Sequence, residues 1–312
     1  MVAAHLSYVG IMTAVDDVDA TPRTAKRGGG GLVFLLITSI SWGINWPVMK
    51  YLFAEWPPLS VRGLSGIVGG SLLLLVALAR GQSLRVPPAM RGRLLLSALL
   101  NISAWMTLMG LALLWLPASE AAVIAYTMPM WAALLAWPVL GERLTPGRVA
   151  ALLLAFGGLV ALMGGDSASA SMAKLPGILL ALAGSVLFAL GVVVVKRLPV
   201  RMAASPSAGW QILLGALPVG LAGLLFEHAH FAALTPTGWM AMLYTTAQFG
   251  VGYVAWFAAL ERLPASVAAI GTLLVPVIGV IGAAVMLGEP LGPGQLVALA
   301  LTVTGVVLAS RS

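Results

Sequence analysis

The chain carries one stretch of sequence twice, and this duplication limits the folds that it can adopt. Residues 116–147 read LPASEAAVIAYTMPMWAALLAWPVLGERLTPG, and residues 263–294 read LPASVAAIGTLLVPVIGVIGAAVMLGEPLGPG. The copies align without a gap at an offset of 147 and are identical at 14 of 32 positions. A shared apolar bias does not keep Leu-Pro-Ala-Ser, the central Pro and the terminal Gly-Glu in register. We therefore infer an internal repeat.

The duplicated stretch belongs to a chain that is too apolar to be a soluble domain. Of its 312 residues, 60% are hydrophobic and 9% are charged. Apolar runs of about 20 residues recur from Leu32 onwards, each long enough to cross a hydrocarbon core of ~30 Å. The sequence therefore predicts an all-α polytopic membrane protein, with the lipid bilayer as a partner. A monomer is the simplest assembly.

The composition also excludes several classes of site. The chain has no cysteine, and His5, His228 and His230 lie outside the apolar runs. We expect no metal and no cofactor, and an enzyme is disfavoured because the spans offer no nucleophile–base pair. A phosphate-binding Gly-x4-Gly-Lys-Ser/Thr loop, which a primary pump needs, is absent from the sequence.

Ten membrane spans are predicted, and the basic residues orient them. The spans are 32–53, 58–79, 94–115, 118–140, 146–164, 176–197, 208–226, 238–260, 265–287 and 293–310. With the N-terminus in the cytoplasm, 14 of the 17 Lys and Arg residues lie on the cytoplasmic side and only Lys50 and Lys174 lie outside. This bias follows the positive-inside rule, so we expect a bacterial-type inner-membrane protein with both termini cytoplasmic. The net charge of +7 is thereby explained by topology, and no nucleic-acid partner is expected.

Five spans per repeat determine how the halves are related. An odd number makes the second copy enter the membrane from the opposite side, so the repeats are inverted about an axis in the membrane plane. The predicted organisation is a flexible tail (1–31), a first five-helix repeat (32–164), a small polar linker (165–175) and a second five-helix repeat (176–310). Ser39 through Leu52 echoes Ser185 through Leu198 more weakly.

Each duplicated stretch contains a proline near the middle of a span. Pro129 and Pro276 lie about 11 residues from the ends of their helices, close to the bilayer midplane at ~1.5 Å per residue. A proline there frees the carbonyl four residues earlier, of Ala125 or Thr272, which must be buried in protein or face water. A packing kink is one interpretation. Matching kinks in inverted repeats favour the other, a hinge beside a central substrate cavity.

Two acidic features are interpreted mainly as structural. Gly141-Glu142 and Gly288-Glu289 are typical of a left-handed helix stop and its exit loop. Glu120 is the only carboxylate inside a predicted span, and its counterpart in the other copy is Val267. A proton carrier is one hypothesis for Glu120. We favour a helix-end role near the outer interface, where the helix dipole stabilises a carboxylate.

These features together resemble a known family. Ten spans in inverted halves, each with Pro-x11-Gly-Glu-x-Leu before a last apolar helix, resemble the EamA family of the drug/metabolite transporter superfamily. Trp42-Gly43 with Asn45 and Lys50, and Arg62 in the second span, add to the resemblance. It implies export of small metabolites, often amino acids, by alternating access from a central cavity. The Trp-rich first half is similar to the bacterial aromatic amino-acid exporters.

Uncharged polar and aromatic residues at depth are the candidate substrate-binding residues. They fall on helix stripes in the first, third, fourth and eighth spans: Trp42, Asn45, Asn101, Trp105, Tyr126, Tyr244, Gln248 and Trp256. Amides and aromatic rings suit a zwitterion or an aromatic metabolite, although they also join helices or anchor them at interfaces. The predicted function is a secondary transporter that exports small amphipathic metabolites, most notably amino acids. A multidrug exporter is the alternative, and an intramembrane enzyme is a remote one.

Overall fold

The computed structural model describes residues 28–142, 145–163, 168–263 and 271–311, and this part of the chain is almost entirely helical. The first half comprises α1 (Gly28–Glu55), α2 (Pro58–Ala79), α3 (Pro88–Ala98), a π-helical turn (Leu99–Ala104), α4 (Trp105–Trp115), α5 (Ala118–Ala125), α6 (Met128–Leu140) and α7 (Pro146–Met163). The second half comprises α8 (Ala168–Arg197), α9 (Ala204–Phe226), a 3₁₀ turn (Phe231–Ala233), α10 (Pro236–Leu260), α11 (Leu274–Leu287) and α12 (Pro293–Arg311). The π-helical turn joins α3 and α4 into one continuous rod.

Several of these helices are long and apolar enough to cross a membrane. By length and composition there are six within the described ranges: Gly30–Glu55, Pro58–Ala79, Pro88–Trp115, Ala118–Leu140, Met172–Arg197 and Ala204–Phe226. Helix α10 is also long enough, but Tyr244, Thr245, Thr246 and Gln248 make it less apolar. Helices α11 and α12 are apolar and shorter. The all-helical membrane fold is confirmed, and the count of ten spans stays a prediction.

Two helix starts differ from the sequence prediction. Helix α1 begins within the Gly28–Gly31 run that was expected to be a flexible lead-in, and α8 begins at Ala168, inside the predicted linker 165–175. The residues from Ala168 to Lys174 include several good helix formers, which extend α8 by two turns ahead of Pro176. The rest of the predicted tail (1–27), the last residue of the predicted first repeat (164) and linker residues 165–167 lie outside the described residues.

The helices of the two halves contact one another in a symmetric pattern. Helix α2 packs along α9 and α7 packs along α12, so equivalent helices meet in two pairs. In addition, α5 of the fourth predicted span packs against α11 of the equivalent ninth span. Helix α1 contacts α10 and α11, and its equivalent α8 contacts the α3–α4 rod and the broken α5–α6 helix. Exchanging the halves therefore maps one set of contacts onto the other, as a pseudo-twofold axis requires.

The α2–α9 pair approaches so closely that its backbones touch. A Cβ atom added to Gly63 would overlap the Cα atom of Gly220, and one added to Gly66 would overlap the Cβ of Ala216. Small residues allow membrane helices to approach in this way and to gain van der Waals contact along their length. The glycines of the second span therefore lie at the main contact between the halves.

Gly63→Val should disrupt this contact. The added side chain has only the backbone of α9 to displace, so we expect a destabilisation of about 1–3 kcal/mol or more, with reduced membrane abundance. Gly250→Val is a matched control because a Cβ at Gly250 meets nothing within 4 Å. Thermal unfolding in detergent gives the melting temperature of each variant. Equal melting temperatures would show that α2 and α9 do not depend on this close approach.

Candidate functional site

Both proline-containing helices are broken just before their prolines. The first is interrupted at Tyr126–Thr127, ahead of Pro129, and the second has a turn at 272–273, ahead of Pro276. Breaks at corresponding places in the two halves are what a midplane hinge predicts. The interrupted backbone needs new hydrogen-bond donors, since carbonyl groups at this depth have little access to water.

Two serines from the opposite half lie within hydrogen-bond distance of these carbonyls. The Ser185 hydroxyl lies 2.9 Å from the Ala181 carbonyl oxygen of its own helix, 3.1 Å from that of Ile124 and 3.5 Å from that of Ala125, one of the two carbonyls predicted to be freed. The Ser39 hydroxyl donates to the Gly271 carbonyl at 3.2 Å. Ser39 and Ser185 are equivalent residues in the weaker sequence echo. Each break thus contacts the other half of the chain, at the interface between the repeats.

A cavity of about 310 Å³ lies between the halves beside these breaks. Its wall is built by α1, α2, the α3–α4 rod, α6, α8, α9, α10, α12 and the turn before α11. Sites for small molecules typically occupy several hundred Å³ and are mostly apolar with a few polar groups. The cavity therefore has the size and position of a site for one small metabolite.

Aromatic side chains form two clusters on the cavity wall. In the first, Trp42 lies 5.5 Å from Tyr253 and 5.8 Å from Trp256, measured between ring centroids. The second consists of Trp46, Trp105 and Phe188. In it, Trp105 lies 4.9 Å from Phe188 and 6.4 Å from Trp46. Both clusters therefore give the cavity wall large aromatic surfaces.

Buried amides add directional polarity to the same wall. Asn45, Asn101 and Gln248 are each at most 8% exposed. The Asn101 amide donates to Ser97 at 3.2 Å, and the Ser97 hydroxyl donates to Gln211 at 2.6 Å. Asn101 belongs to the π-helical turn, a local widening of the helix that often occurs at functional sites. The hydrogen bonds fix the orientation of this amide.

One charged side chain, that of Arg62, lines the cavity among the described residues. Arg62 is 4% exposed, and one of its terminal nitrogens lies 2.9 Å from the Met49 sulfur. Its Nε atom has no hydrogen-bond partner, and no carboxylate lines the cavity within the described ranges. The cavity wall is therefore electropositive at this point.

Most of the residues that the sequence predicted to bind substrate lie around this cavity. Those in its lining are Trp42, Asn45, Asn101, Trp105, Tyr126, Gln248 and Trp256. Tyr244 is outside the lining, and its hydroxyl donates to the Ser41 carbonyl at 2.9 Å instead. Tyr244 therefore contacts α1, against which α10 packs.

The two prolines occupy different places relative to the cavity. Pro129 lines it, whereas Pro276 is buried behind the wall, where Thr272 and Leu273 take its place. The break falls two to three residues ahead of Pro129 in the first half and three to four residues ahead of Pro276 in the second.

Several lining residues were not predicted from the sequence, although the internal repeat carries a signal for one of them. Phe188, Tyr253 and Gln211 line the cavity but were not proposed. In the sequence echo of Ser39 and Ser185, Phe188 is the counterpart of Trp42. Phe188 is therefore found by looking up the counterpart of each candidate residue in the other half. Arg62 was noticed only as part of the family resemblance.

Three carboxylates connect the two halves at one end of the helix assembly. We call them the carboxylate caps (Glu55, Glu227 and Glu289). Each follows or ends one helix and accepts hydrogen bonds at the start of a helix in the other half. Glu289 accepts from the Ala118 and Ser119 amides at 2.6 and 3.0 Å and from the Ser119 hydroxyl at 2.6 Å. Such contacts satisfy free amides and stabilise negative charge at a helix N-terminus.

The other two caps follow the same rule. Glu227 accepts from the Leu59 and Ser60 amides and the Ser60 hydroxyl at 2.7–3.0 Å. Glu55 accepts from the amide and hydroxyl of Thr235, the N-cap residue just before α10, at 2.9 and 2.7 Å. All three caps lie at the end that the basic residues predict to be outside.

The Glu289 cap joins the Gly-Glu of the second copy to the Ala-Ser of the first copy. Gly141 and Gly288 have φ angles of +72° and +67°, so each ends its helix in the left-handed conformation that the sequence predicted. The next residue after Gly288 then reaches the Ala-Ser pair at the start of α5. Glu142 forms an ion pair with Lys196. The start of the second copy, residues 264–270, lies outside the described residues.

Comparison with known proteins now identifies the family. The EamA-like transporter family matches the chain twice, over residues 29–164 and 175–311. The chain belongs to the EamA-like transporter family. It is accordingly a membrane transporter and not an enzyme.

Relatives of this transporter carry related descriptions. An uncharacterized transporter, YvbV, of Bacillus subtilis strain 168 is 32% identical over 283 residues, covering 89% of both chains. A probable amino-acid metabolite efflux pump of Salmonella typhimurium is 28% identical, covering 91% of this chain and 95% of its own. The aromatic amino acid exporter YddG of Ancylobacter novellus is 27% identical, covering 81% and 88%. A solved crystal structure with 25% identity superposes with a TM-score of 0.63 and covers 89% of this chain and 96% of that one.

Glu120 of this EamA-like transporter lies in the first turn of α5, as the helix-end hypothesis expected. It is buried, at 3% exposure, whereas the sequence suggested a position close to water. The difference arises because Lys174 from α8 covers it and forms an ion pair with a nitrogen–oxygen distance of 2.8 Å. Both halves therefore contribute to this charge pair, which makes a structural role the better interpretation.

Glu120→Gln should retain transport within about threefold of the wild type, a change of less than ~1 kcal/mol. It should lower the free energy of unfolding by about 1–3 kcal/mol, because a hydrogen bond between charged groups is lost. Lys174→Gln should have a similar effect, and the double variant should be less destabilised than the sum of the two. Loss of transport in Glu120→Gln at normal abundance would instead support the proton-carrier hypothesis.

Proposed function

We propose that this transporter exports aromatic and large apolar amino acids from the cytoplasm through the central cavity. The observation that carries the proposal is the wall of the cavity, where two aromatic clusters enclose buried amides and one guanidinium in a space of about 310 Å³. The aromatic rings provide apolar contact for a flat side chain. The amides and the guanidinium provide polar contact for a charged backbone.

The descriptions of the relatives support the same substrate class. One is described as a probable amino-acid metabolite efflux pump and another as an aromatic amino acid exporter. A multidrug exporter of lipophilic cations is less compatible with the cavity, because the charged group in its described lining is positive. Like charges in a low-dielectric site repel strongly.

Alternating access is the mechanism that we propose for this transport. The carboxylate caps join the halves at the end predicted to be outside, beyond the buried cavity residues Met49, Arg62 and Met109, which are at most 4% exposed. We therefore propose that the caps hold the outer side closed in this conformation.

The proposal includes a topology. Ten spans form two inverted repeats at 32–164 and 176–310, in a bacterial-type inner membrane, with both termini cytoplasmic. Thr145→Cys should then be labelled from the cytoplasmic side only and Gly292→Cys from the outer side only, since the native chain has no cysteine. Membrane-impermeant maleimide applied to intact cells and to inverted vesicles measures this. Labelling of both cysteines from one side would exclude the inverted arrangement.

Counterflow in liposomes tests the substrate class. Liposomes that contain the protein and are loaded with an unlabelled amino acid should accumulate the same amino acid in labelled form from outside. Among the twenty standard amino acids, accumulation should be highest for Phe, Trp, Tyr, Leu and Met. The matched negative control is protein-free liposomes, and lipophilic cations form the competing panel. If the liposomes accumulated lipophilic cations but none of the amino acids, the result would contradict the proposal and support the multidrug alternative.

A further inference from the structure

The guanidinium of Arg62 is the least satisfied charge in the described structure. A guanidinium has five N–H donors and stays charged. The contacts of Arg62 amount to one short approach to the thioether of Met49, a weak acceptor, while its Nε atom has no partner. Removing a charge from water is costly unless an opposite charge or several hydrogen bonds compensate it. An ionic partner for Arg62 is therefore missing within the described residues.

The position of Arg62 indicates where that partner comes from. Its side chain lines the central cavity, so an anion bound there would reach it without rearrangement of the helices. Arginine and carboxylate groups match in a planar, two-point geometry, which makes a carboxylate the preferred partner. Charged residues inside a membrane protein usually face such a cavity and mark the path of the substrate.

Unsatisfied acceptors occur in the same wall. The Oδ1 atoms of Asn45 and Asn101 are buried without a hydrogen-bond donor. Asn45 lies one helical turn from Met49 on α1, and i, i+4 residues are neighbours at about 6 Å. Asn45, Met49 and Arg62 all line the same cavity, so one ligand can contact both the Asn45 acceptor and the Arg62 guanidinium. A ligand that brings both an anion and N–H donors would satisfy the two groups together.

We propose that Arg62 binds the α-carboxylate of the transported amino acid and that Asn45 accepts a hydrogen bond from its α-ammonium group. This inference rests on the proposed function and narrows it, because it makes the free α-carboxylate a requirement for transport. The aromatic clusters then contact the side chain alone. Arg62 is a specificity-determining residue that separates amino acids from their amides and from amines of the same shape.

Four probes that share one phenyl side chain test the requirement. They are L-phenylalanine, L-phenylalaninamide, 3-phenylpropionate and phenethylamine, used as competitors in counterflow and as ligands in thermal unfolding of the purified full-length chain. Wild-type protein should prefer L-phenylalanine to L-phenylalaninamide by roughly 10- to 100-fold, as expected for a charge-assisted hydrogen-bonded pair. Asn45→Leu should reduce the ratio by which L-phenylalanine is preferred to 3-phenylpropionate, because these two probes differ in the α-ammonium group.

Arg62→Gln should lower L-phenylalanine transport by roughly 10- to 100-fold and remove most of the preference over the amide. Arg62→Lys should be intermediate, because it keeps the charge but loses the planar two-point contact. Arg80→Gln is the matched control, since Arg80 is exposed just beyond the C-terminal end of the same helix. Without ligand, Arg62→Gln should melt no lower than the wild type, because it removes an unpaired buried charge. A lower melting temperature with the amide preference intact would show a structural role and overturn the proposal.

The probes also separate this inference from the proposed function. Equal competition by L-phenylalanine and its amide, in wild type and Arg62→Gln alike, would overturn the carboxylate site and leave amino-acid export standing. Arg62-dependent binding of 3-phenylpropionate without L-phenylalanine would support the carboxylate site and overturn amino-acid export. Binding of phenethylamine alone, or of none of the four probes, would overturn both.

Discussion

Trp105→Ala should reduce transport of an aromatic amino acid by roughly tenfold or more while leaving protein abundance close to normal. Trp105 lies between Trp46 and Phe188 in the second aromatic cluster and is only partly buried, so the indole forms the wall that a substrate contacts. Each aromatic pair contributes ~0.5–1.5 kcal/mol beyond its buried area, and every 1.4 kcal/mol is tenfold in affinity. Initial rates of counterflow over a range of substrate concentrations measure the loss.

Trp137→Ala is the matched control for this variant. Trp137 lies on α6, is 57% exposed and is absent from the cavity lining, so its removal should leave transport unchanged. Trp105→Phe should recover much of the activity because it keeps a ring in the cluster. Equal transport by Trp105→Ala and Trp137→Ala would mean that substrate does not contact this cluster.

Glu289→Gln should open the outer side of the transporter. The carboxylate of Glu289 caps the two first amides of α5 and the Ser119 hydroxyl, and the neutral amide that replaces it loses the charge that these donors and the helix dipole stabilise. A weakening of about 1–2 kcal/mol, typical of a lost helix cap, shifts a two-state equilibrium by roughly 5- to 30-fold. The outward-facing population should rise by that factor.

A cysteine at Met49 reports this shift. Met49 is 3% exposed and lies on the cavity side of the caps, so Met49→Cys should react slowly with an impermeant reagent added outside. Labelling should become several-fold faster when Glu289→Gln is added. Glu261→Gln is the control, because Glu261 has an exposed side chain at the opposite end of the assembly. Unchanged labelling in the presence of Glu289→Gln would show that the cap stabilises α5 without holding the outer side closed.

Much of the fold follows from local sequence, because helix formation in an apolar chain is decided by nearby residues. Runs of apolar residues indicated the helices, and Gly141 and Gly288 indicated where two of them end. Backbone groups in lipid have few alternatives to a helix, which makes such predictions reliable. The duplicated prolines likewise predicted interrupted helices near the midplane.

Part of the candidate site also followed from helix spacing. The stripes that contain Asn101, Trp105, Gln248 and Trp256 were predicted to share a face, and these residues lie around one cavity. Tyr244 shows the limit of this reasoning. It occupies the same stripe as Gln248, but its hydroxyl bonds to Ser41, since the packing of α10 against α1 decides which edge of the stripe meets the cavity.

Sequence alone therefore determined the helices, their stops and breaks, the repeat and the family, since each of these depends on short-range patterns or on comparison of one stretch with another. Only the tertiary structure decided which polar groups meet. The Ser185 hydroxyl at the broken helix, Glu289 at the start of α5 and the unpaired Arg62 beside Met49 are contacts between segments far apart in the chain or on different helices. Such contacts depend on the packing of whole helices, and residue spacing within one helix carries no information about the partner that a neighbouring helix presents.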